Sequence, residues 1–213
     1  MRIAIVGGSF DPIHDGHIQM ANQALQSLGV DEVWFMPTAS TPLKDHELTL
    51  NQERLAMIDL VVKQNPKFKV CTVELERLGK SYTYDTLKEL IETYPEHEFY
   101  WIIGNDQLVQ FDKWYHADEL VKMAHFVCFD RDGELAETKY DIMCMAMPAV
   151  PVSSSEIRVG NKLNYLPEKV LRYIYRNRLY VKEFVAARLT EKRYEHSLSV
   201  ARLCEEFALN NGY

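Results

Sequence analysis

Short apolar runs alternate with segments of helical periodicity from Arg2 to Met147, and this alternation constrains the fold more than any other feature. The predicted strands are Arg2–Val6, Glu32–Met36, Lys69–Leu75, Glu98–Ile103, His125–Asp130 and Asp141–Met147, and the predicted helices between them are Gly16–Leu28, Asn51–Lys63 and Tyr84–Tyr94. Strands separated by helices of this length pair in parallel, with right-handed crossovers that cover both faces of the sheet. The sequence therefore predicts an α/β fold with a doubly wound parallel sheet. In that architecture ligands bind beyond the carboxyl ends of the strands.

Helical spacing of the apolar residues also predicts which helix faces are buried. In the first helix the predicted face consists of Ile18, Ala21, Leu25 and Leu28, and in the second it consists of Leu55, Ile58 and Val62. A helical C-terminal extension follows the sheet, as Pro167–Tyr180 and Val181–Asn211. Its most regular apolar stripe consists of Val200, Leu203, Cys204 and Phe207.

Charge and hydropathy narrow the classes of partner. The 24 basic and 31 acidic residues give a net charge of −7, so the overall field repels nucleic acid and anionic membranes. No apolar run approaches the ~20 residues that span a bilayer, and the amino terminus does not resemble a signal peptide. We therefore expect a cytoplasmic protein. We interpret the four cysteines, which form no C-x-x-C pair, as buried and reduced.

The segment after the first predicted strand combines several features of an anion-binding loop. It reads GGSFDPIHDGH from Gly7 to His17. Two glycines allow a sharp turn and a close approach of backbone to ligand, and Gly16 opens a helix whose amino end favours anions. His14 and His17 are three residues apart, so both side chains can face one pocket.

This segment resembles the HxGH motif of the nucleotidyltransferase superfamily, and its wording is most similar to that of the bacterial nicotinate-nucleotide adenylyltransferases. A second motif of the superfamily, ISSTxIR, is present as VSSSEIR from Val152 to Arg158, with Ser155 in place of the usual Thr. The run Leu163–Tyr180 also resembles the C-terminal segment of that family. The resemblance implies a Rossmann-like nucleotidyltransferase domain over residues 1–182.

The resemblance also implies roles for the residues of both motifs. Adenylyl transfer from ATP to nicotinate mononucleotide is expected, with Mg²⁺ accompanying ATP and held mainly by phosphates and water rather than by protein ligands. The implied catalytic residues are His14, His17 and Arg158. The implied ATP-binding residues are Gly7, Gly8, Ser9, Phe10, Gly16, Ser153 and Ser154. Asp11 has two interpretations, a carboxylate in the site or a structural residue that holds the turn through an Asx-type bond, of which we favour the second.

Acceptor recognition is implied for a second group of residues. Lys44 stands where the family usually has Lys after Pro-His, although Leu43 replaces that His. The family pattern SYTxxTL is present from Ser81 to Leu87, so Tyr82 and Thr83 are expected near the nicotinate. Asp106 follows the fourth strand in a G-A-D motif whose middle residue is changed to Asn, and Trp114 is expected to cover the pyridine ring.

The final segment resembles a different family. Arg193–Asn211 is similar to the opening helix of an HD-superfamily phosphohydrolase, which begins with a His on a helix, here His196. No distant His-Asp doublet follows, and one histidine cannot hold a metal ion on its own. Residues 183–213 are therefore interpreted as part of a truncated HD domain or a vestige of one, with no hydrolase activity. An amphipathic helix with a surface histidine is the alternative, and the exposed stripe leaves open a homo-oligomer.

Alternative functions remain at this level. The acceptor could be nicotinamide mononucleotide or 4′-phosphopantetheine, although the GGSFDPIH and SYTYDTL wordings argue against phosphopantetheine. A catalytically idle nucleotide-binding regulator could use the same fold, but a degenerate site would be free to lose His14, His17 and Arg158.

Overall fold

The computed structural model describes residues 1–39, 48–77, 81–130 and 137–210. Within these ranges the strands are β1 (Arg2–Gly8), β2 (Glu32–Pro37), β3 (Phe68–Val70), β4 (Glu98–Gly104), β5 (His125–Asp130) and β6 (Met143–Ala146). The helices are α1 (Asp15–Ser27), α2 (Asn51–Val62), α3 (Val73–Glu76), α4 (Thr83–Thr93), α5 (Asn105–Leu108), α6 (Ala117–Met123), α7 (Ser154–Arg158), α8 (Glu168–Arg176), α9 (Val181–Ala186) and α10 (Glu191–Asn210).

All six strands belong to one parallel sheet with the order β3-β2-β1-β4-β5-β6. The predicted α/β class and doubly wound parallel sheet are confirmed. Because the strand order reverses direction between β1 and β4, a crevice opens there at the carboxyl ends of both strands. That topological switch point is where the segment after β1 lies.

The two faces of the sheet carry separate apolar cores. On one face Ala4 and Val6 of β1 pack with residues of α1, α2 and α8, and on the other face Ile3 and Ile5 pack with residues of α4 and α6. Alternate residues of a strand point to opposite faces, so a strand buried on both sides must be apolar throughout. The IAIV run meets that requirement.

Two helices bury faces that match the predicted ones only in part: Ala21, Leu28 and Ile58 are buried as predicted. In α2 the buried residues are Arg54, Met57, Ile58 and Val61, whereas Leu55 and Val62 are only partly buried. In α1 they are Gly16, Met20, Ala21 and Ala24, while Ile18 and Leu25 pack at the margin of the core. The prediction chose the larger aliphatic residues, whereas the buried face of α2 includes an arginine.

The predicted strand Lys69–Leu75 is wrong beyond Val70. The backbone carbonyl of Thr72 accepts hydrogen bonds from Leu75 and Glu76, which turns this segment into the short helix α3. The strand predicted at Asp141–Met147 is likewise shorter, as Met143–Ala146. Both strands lie at the edges of the sheet and pair with a single neighbour, so fewer ladder bonds extend them.

The C-terminal extension is helical, as predicted, but it is not continuous. The helix predicted at Pro167–Tyr180 ends at Arg176, and a turn separates α9 from α10. No residue of α10 is buried, and the exposed fractions of Val200, Leu203 and Phe207 are 44%, 64% and 68%. Cys204 is exposed too and Cys144 is only partly buried, so the prediction that all four cysteines are buried holds for Cys71 and Cys128 alone. Among the described helices, none is both long and apolar enough to cross a membrane.

Candidate functional site

A polar cleft of about 260 Å³ occupies the switch point between β1 and β4. Eight of the predicted site residues line it: Gly7, Gly8, Ser9, His14, His17, Asp106, Ser153 and Ser154. They come from the end of β1, the start of α1, α5 and the segment that enters α7. The fold therefore brings together the two motifs that the sequence placed far apart. The hydroxyl of Ser154 donates a hydrogen bond to the carbonyl of Pro12, 142 residues away, at 3.0 Å.

The two histidines lie against each other at the start of α1. Their ring centroids are 3.8 Å apart, and the backbone N–H of His14 donates to Nδ1 of His17 at 3.3 Å. Because Nδ1 of His17 accepts this bond, the neutral ring carries its proton on Nε2, which is then a donor. His14 is 2% exposed, whereas His17 is half-buried at the cleft.

Gly16 and Phe10 support the cleft from behind instead of lining it. A Cβ at Gly16 would lie 3.1 Å from the ring of His14, so this close approach of the helix start to the ring favours glycine. The ring of Phe10 is fully buried, with its centroid 4.9 Å from that of His17 and 5.8 Å from that of Phe35. Phe10 therefore packs beneath His17 and does not line the cleft.

The rim formed by α7 already holds a carboxylate. Ser153 is the N-cap of this helix, and both its backbone N–H and its hydroxyl donate to Oε2 of Glu156, at 2.9 and 3.0 Å. Such a capping box satisfies the first free N–H groups of the helix. A phosphate that binds Ser153 must share or replace this contact.

Arg158 lies behind the loop rather than in the cleft. Its Nη1 donates to the backbone carbonyl of Asp11 at 2.8 Å, and its Nη2 donates to the hydroxyl of Ser155 at 3.3 Å. It also lines an adjacent, largely apolar cavity of about 380 Å³ beside Leu179 and Phe184. In this structure Arg158 thus holds the loop, and contact with a phosphate requires its guanidinium to turn.

Of the predicted acceptor residues that the structure describes, Asp106 lines the cleft, whereas Tyr82, Thr83 and Trp114 do not. Tyr82 is 42% exposed, and its ring lies 5.1 Å from that of Tyr115, the neighbour of Trp114. Trp114 is half-buried against Phe111 and Phe126, with ring centroids 5.1 and 6.4 Å away. Thr83 begins α4 and Asp106 is exposed on the cleft, while Lys44 lies outside the described residues.

Asp11 is buried, and its carboxylate bonds to distant segments of the chain. Its carboxylate is 1% exposed and accepts hydrogen bonds from the backbone N–H of Thr49 at 3.1 Å and the hydroxyl of Tyr180 at 2.7 Å. These partners are 38 and 169 residues away in the chain, so local turn chemistry could not have predicted them.

Sequence reasoning missed several residues around the cleft. Those that line it are Met20, Ile102, Gly104, Gln107, Val152 and Ser155, and Arg54 and Tyr180 lie beneath the loop. Gln107 accepts a hydrogen bond from the N–H of Gly104 at 3.2 Å, which fixes the start of α5. One signal was available: Arg54 stands three, four and seven residues before Met57, Ile58 and Val61, on the face that proves to be buried.

Among the described residues, no group of three or more His, Cys, Asp or Glu side chains is arranged to hold a metal ion.

Comparison with known proteins gives concordant similarities. A model of the cytidylyltransferase-like family matches residues 5–160. A protein of Listeria monocytogenes named "Probable nicotinate-nucleotide adenylyltransferase" is 42% identical over 185 residues, which cover 85% of this chain and 98% of that protein. A protein of Geobacillus kaustophilus with the same name is 43% identical over 84% of this chain and 86% of its own length. A solved structure of the nicotinic acid mononucleotide adenylyltransferase of Plasmodium falciparum, complexed with NaAD, superposes with a TM-score of 0.70 at 26% identity, over 84% of this chain and 97% of that chain.

Proposed function

Since this chain belongs to the nicotinate-nucleotide adenylyltransferases, within the cytidylyltransferase-like family, we propose that the cleft between β1 and β4 is where its reaction takes place. The enzyme transfers the adenylyl group of ATP to nicotinate mononucleotide, which gives nicotinate adenine dinucleotide and pyrophosphate in NAD biosynthesis. The observation that carries the assignment of the site is the convergence of His14, His17, Ser153 and Ser154 on one cleft at the switch point.

In this reaction the chain needs no nucleophile of its own. A phosphate oxygen of nicotinate mononucleotide attacks the α-phosphorus of ATP, and the bond from that phosphorus to the bridging oxygen breaks as pyrophosphate leaves. Charge grows on the phosphoryl oxygens, so catalysis consists of positioning two anions and stabilising that charge. The Nε2–H of His17 is a donor suited to this task, and the backbone N–H groups of the loop around Ser9 and Phe10 can hold a substrate phosphate.

The second rim would bind the triphosphate. Ser153 and Ser154 line the cleft opposite the histidines, and their hydroxyls can turn from Glu156 and Pro12 toward phosphate oxygens. Arg158 is within reach of the same loop, where its planar fork suits phosphate.

Mg²⁺ would accompany ATP. Among the lining residues that the structure describes, Asp106 is the single carboxylate, beside hydroxyls and two imidazoles. This set fits an ion held mainly by phosphate oxygens and water, with Asp106 nearby. When bound, the ion neutralises part of the charge on the phosphates.

The acceptor base would lie beside the cleft, toward the aromatic residues. The ring of Tyr82 contacts the ring of Tyr115, which is the neighbour of Trp114 in the chain. Tyr82 and Thr83 therefore lie in the same region as Trp114. A flat ring that bears a carboxylate needs a stacking partner and N–H donors. The exposed aromatic rings can stack on it, and the backbone at the amino end of α4 supplies N–H donors.

The C-terminal segment has a separate proposal. We propose that α10 is the opening helix of an HD-superfamily domain, since it carries His196 and leaves the apolar residues Val200, Leu203 and Phe207 exposed. Replacing these three by Ser is expected to lower the fluorescence of a bound hydrophobic dye without changing adenylyl transfer. Unchanged dye binding would contradict an exposed apolar face.

The decisive experiment measures pyrophosphate release from ATP and Mg²⁺ with nicotinate mononucleotide, nicotinamide mononucleotide or 4′-phosphopantetheine as the acceptor. A preference for nicotinate mononucleotide is expected. Release with another acceptor would retain the reaction but overturn the acceptor residues. Folded protein that binds ATP and releases no pyrophosphate with any acceptor would instead be a nucleotide-binding regulator.

A further inference from the structure

Three polar side chains are buried directly beneath the loop between β1 and α1. They are Asp11, Arg54 and Tyr180, which we call the buried hub, and their exposed fractions are 1%, 0% and 8%. They come from the loop itself, from α2 and from the residue before α9. Burying charged side chains is expensive unless they are paired and hydrogen-bonded, and well-packed apolar residues often serve stability equally well. A buried hub at this position therefore calls for an explanation beyond packing.

Arg54 ties the loop to two other segments of backbone. Its Nη1 donates to the carbonyl of Ser9 at 2.6 Å, its Nη2 to the carbonyl of Thr38 at 2.8 Å and its Nε to the carbonyl of Thr49 at 3.1 Å. A planar guanidinium presents its donors in a fixed fork and can hold three widely spaced carbonyls in one arrangement, whereas the three donors of an ammonium share one rotatable nitrogen. Burial lowers the pKa of Arg54, and the nearby carboxylate of Asp11 opposes that shift.

Tyr180 holds the loop through its side chain. Its hydroxyl donates to Oδ1 of Asp11 at 2.7 Å, while Oδ2 accepts from the N–H of Thr49. Burial, together with the Asp11 carboxylate, raises the pKa of Tyr180 well above its ordinary range, so the hydroxyl stays protonated and remains a donor. Most hydrogen bonds of the buried hub thus end on the loop or on the segments beside it, while Nη2 of Arg54 also donates to Oδ1 of Asn51 within α2 at 2.6 Å.

The loop leads directly to His14 and His17. Adenylyl transfer depends on donors held in place before the charge develops, and a displacement of about 1 Å can cost roughly 10²-fold in rate. Resting on the function proposed above, we propose that Arg54 and Tyr180 are positioning residues for adenylyl transfer, which act on the reacting phosphates through the loop and the two histidines.

Tyr180→Phe provides the test, because it removes one oxygen atom and keeps the ring. Tyr173→Phe is the matched control: the hydroxyl of Tyr173, in α8, donates to Glu53 of α2 at 2.8 Å and has no bond to the loop. We expect Tyr180→Phe to lower kcat on the order of 10-fold, with the KM for ATP changed less than about 3-fold, and Tyr173→Phe to change neither by more than about 2-fold.

A double-mutant cycle separates positioning from a general loss of stability. If Tyr180 acts through the histidines, its replacement costs little once His17 has been replaced by Ala, so the two effects are far from additive. Wild-type protein must first release pyrophosphate with an acceptor, and its failure to do so would count against the proposed function rather than against the buried hub.

The outcomes are decisive. A folded Tyr180→Phe variant with kcat within about 2-fold of wild type, or an equal loss of kcat in the wild-type and His17→Ala backgrounds, would overturn the proposal. If Tyr180→Phe unfolds below the assay temperature, Arg54→Lys is judged by the same criteria, since it keeps the charge and loses the fork. Failure of both variants to fold would also overturn it, because the buried hub would then serve folding and not catalysis.

Discussion

At the scale of single residues, the hydrogen-bond partner of each polar atom determines whether that atom is available to a ligand. His17 presents Nε2–H as a donor because its Nδ1 accepts from the backbone of His14. Asp11 is removed from the cleft because Tyr180 and Thr49 occupy its two oxygens. Two residues in one motif therefore differ in their surroundings: His17 lines the cleft, and Asp11 is bonded to segments beneath it.

We expect His17→Ala to lower kcat on the order of 10²-fold or more, because it removes a donor that acts on the charge of the transition state. Steady-state pyrophosphate release measures this. His125→Ala, at the amino end of β5 and 58% exposed in its side chain, is the matched control and should leave kcat unchanged. Unchanged turnover of His17→Ala would remove His17 from the catalytic residues.

Trp114→Ala is expected mainly to raise the KM for the acceptor, through the loss of a ring that stacks on the pyridine. It should also lower the unfolding temperature, because the ring packs on Phe111 and Phe126. Tyr82→Ala is the companion variant, since that ring is more exposed and its loss should cost less stability. If only the KM for ATP changed, these rings would contact ATP and not the acceptor, and the prediction would be wrong.

At the scale of elements, α3 and the start of α4 are joined by a buried carboxylate. Glu74 is 4% exposed, and its Oε1 accepts from the hydroxyl of Thr86 at 3.1 Å. Thr86 also accepts from Arg77 at 3.1 Å. Apolar periodicity predicted a strand through Glu74, because it reads residue types and carries no information about such a long-range bond.

Glu74→Gln should stabilise the protein increasingly as the pH rises. Burial raises the pKa of Glu74, so the native state binds its proton more tightly than the unfolded chain does, and stability is lost as pH rises through the folded pKa. Gln keeps the acceptor for Thr86 without the charge. A tenfold difference in proton affinity between the folded and unfolded states corresponds to about 1.4 kcal/mol, or roughly 3–6 °C in Tm for a chain of this size.

Thermal unfolding at acidic and at mildly alkaline pH measures the effect. Glu92→Gln, on the exposed side of α4, is the control, since it measures the change in Tm when an exposed carboxylate is replaced by an amide. A difference between Glu74→Gln and wild type that is the same at both pH values would show that burial does not disfavour the charged form of Glu74.

At the scale of the whole molecule, the chain packs against the rest of the fold as far as α9 and the turn after it, whereas α10 does not. Phe184 would lie 2.4 Å from a Cβ placed at Gly160, and Nη1 of Arg188 donates to the carbonyl of Val159 at 2.6 Å. Residues 183–188 therefore pack on the end of α7, although the sequence assigned them to the extension. In contrast, α10 buries none of its residues.

Deletion of Glu191–Tyr213 is expected to leave kcat and both KM values unchanged, because α10 has no buried contact with the sheet domain. Deletion from Phe184 onward should instead lower Tm, since it removes the contacts with Gly160 and Val159. Size-exclusion chromatography with light scattering on the same variants tests whether α10 mediates self-association. Lost turnover after the shorter deletion would tie α10 to the active site.

The sequence by itself determined the class of fold, the order of most elements and the two motifs of the cleft. Strands buried on both sides must be apolar throughout, so their apolar runs predict a parallel sheet. The glycines and paired histidines after the first strand predict an anion-binding loop at its carboxyl end. Tertiary structure alone decided which atoms those motifs present. The partners of Asp11, the burial of Arg54 and the attachment of Arg158 to the loop depend on contacts between distant segments, and local periodicity does not encode them.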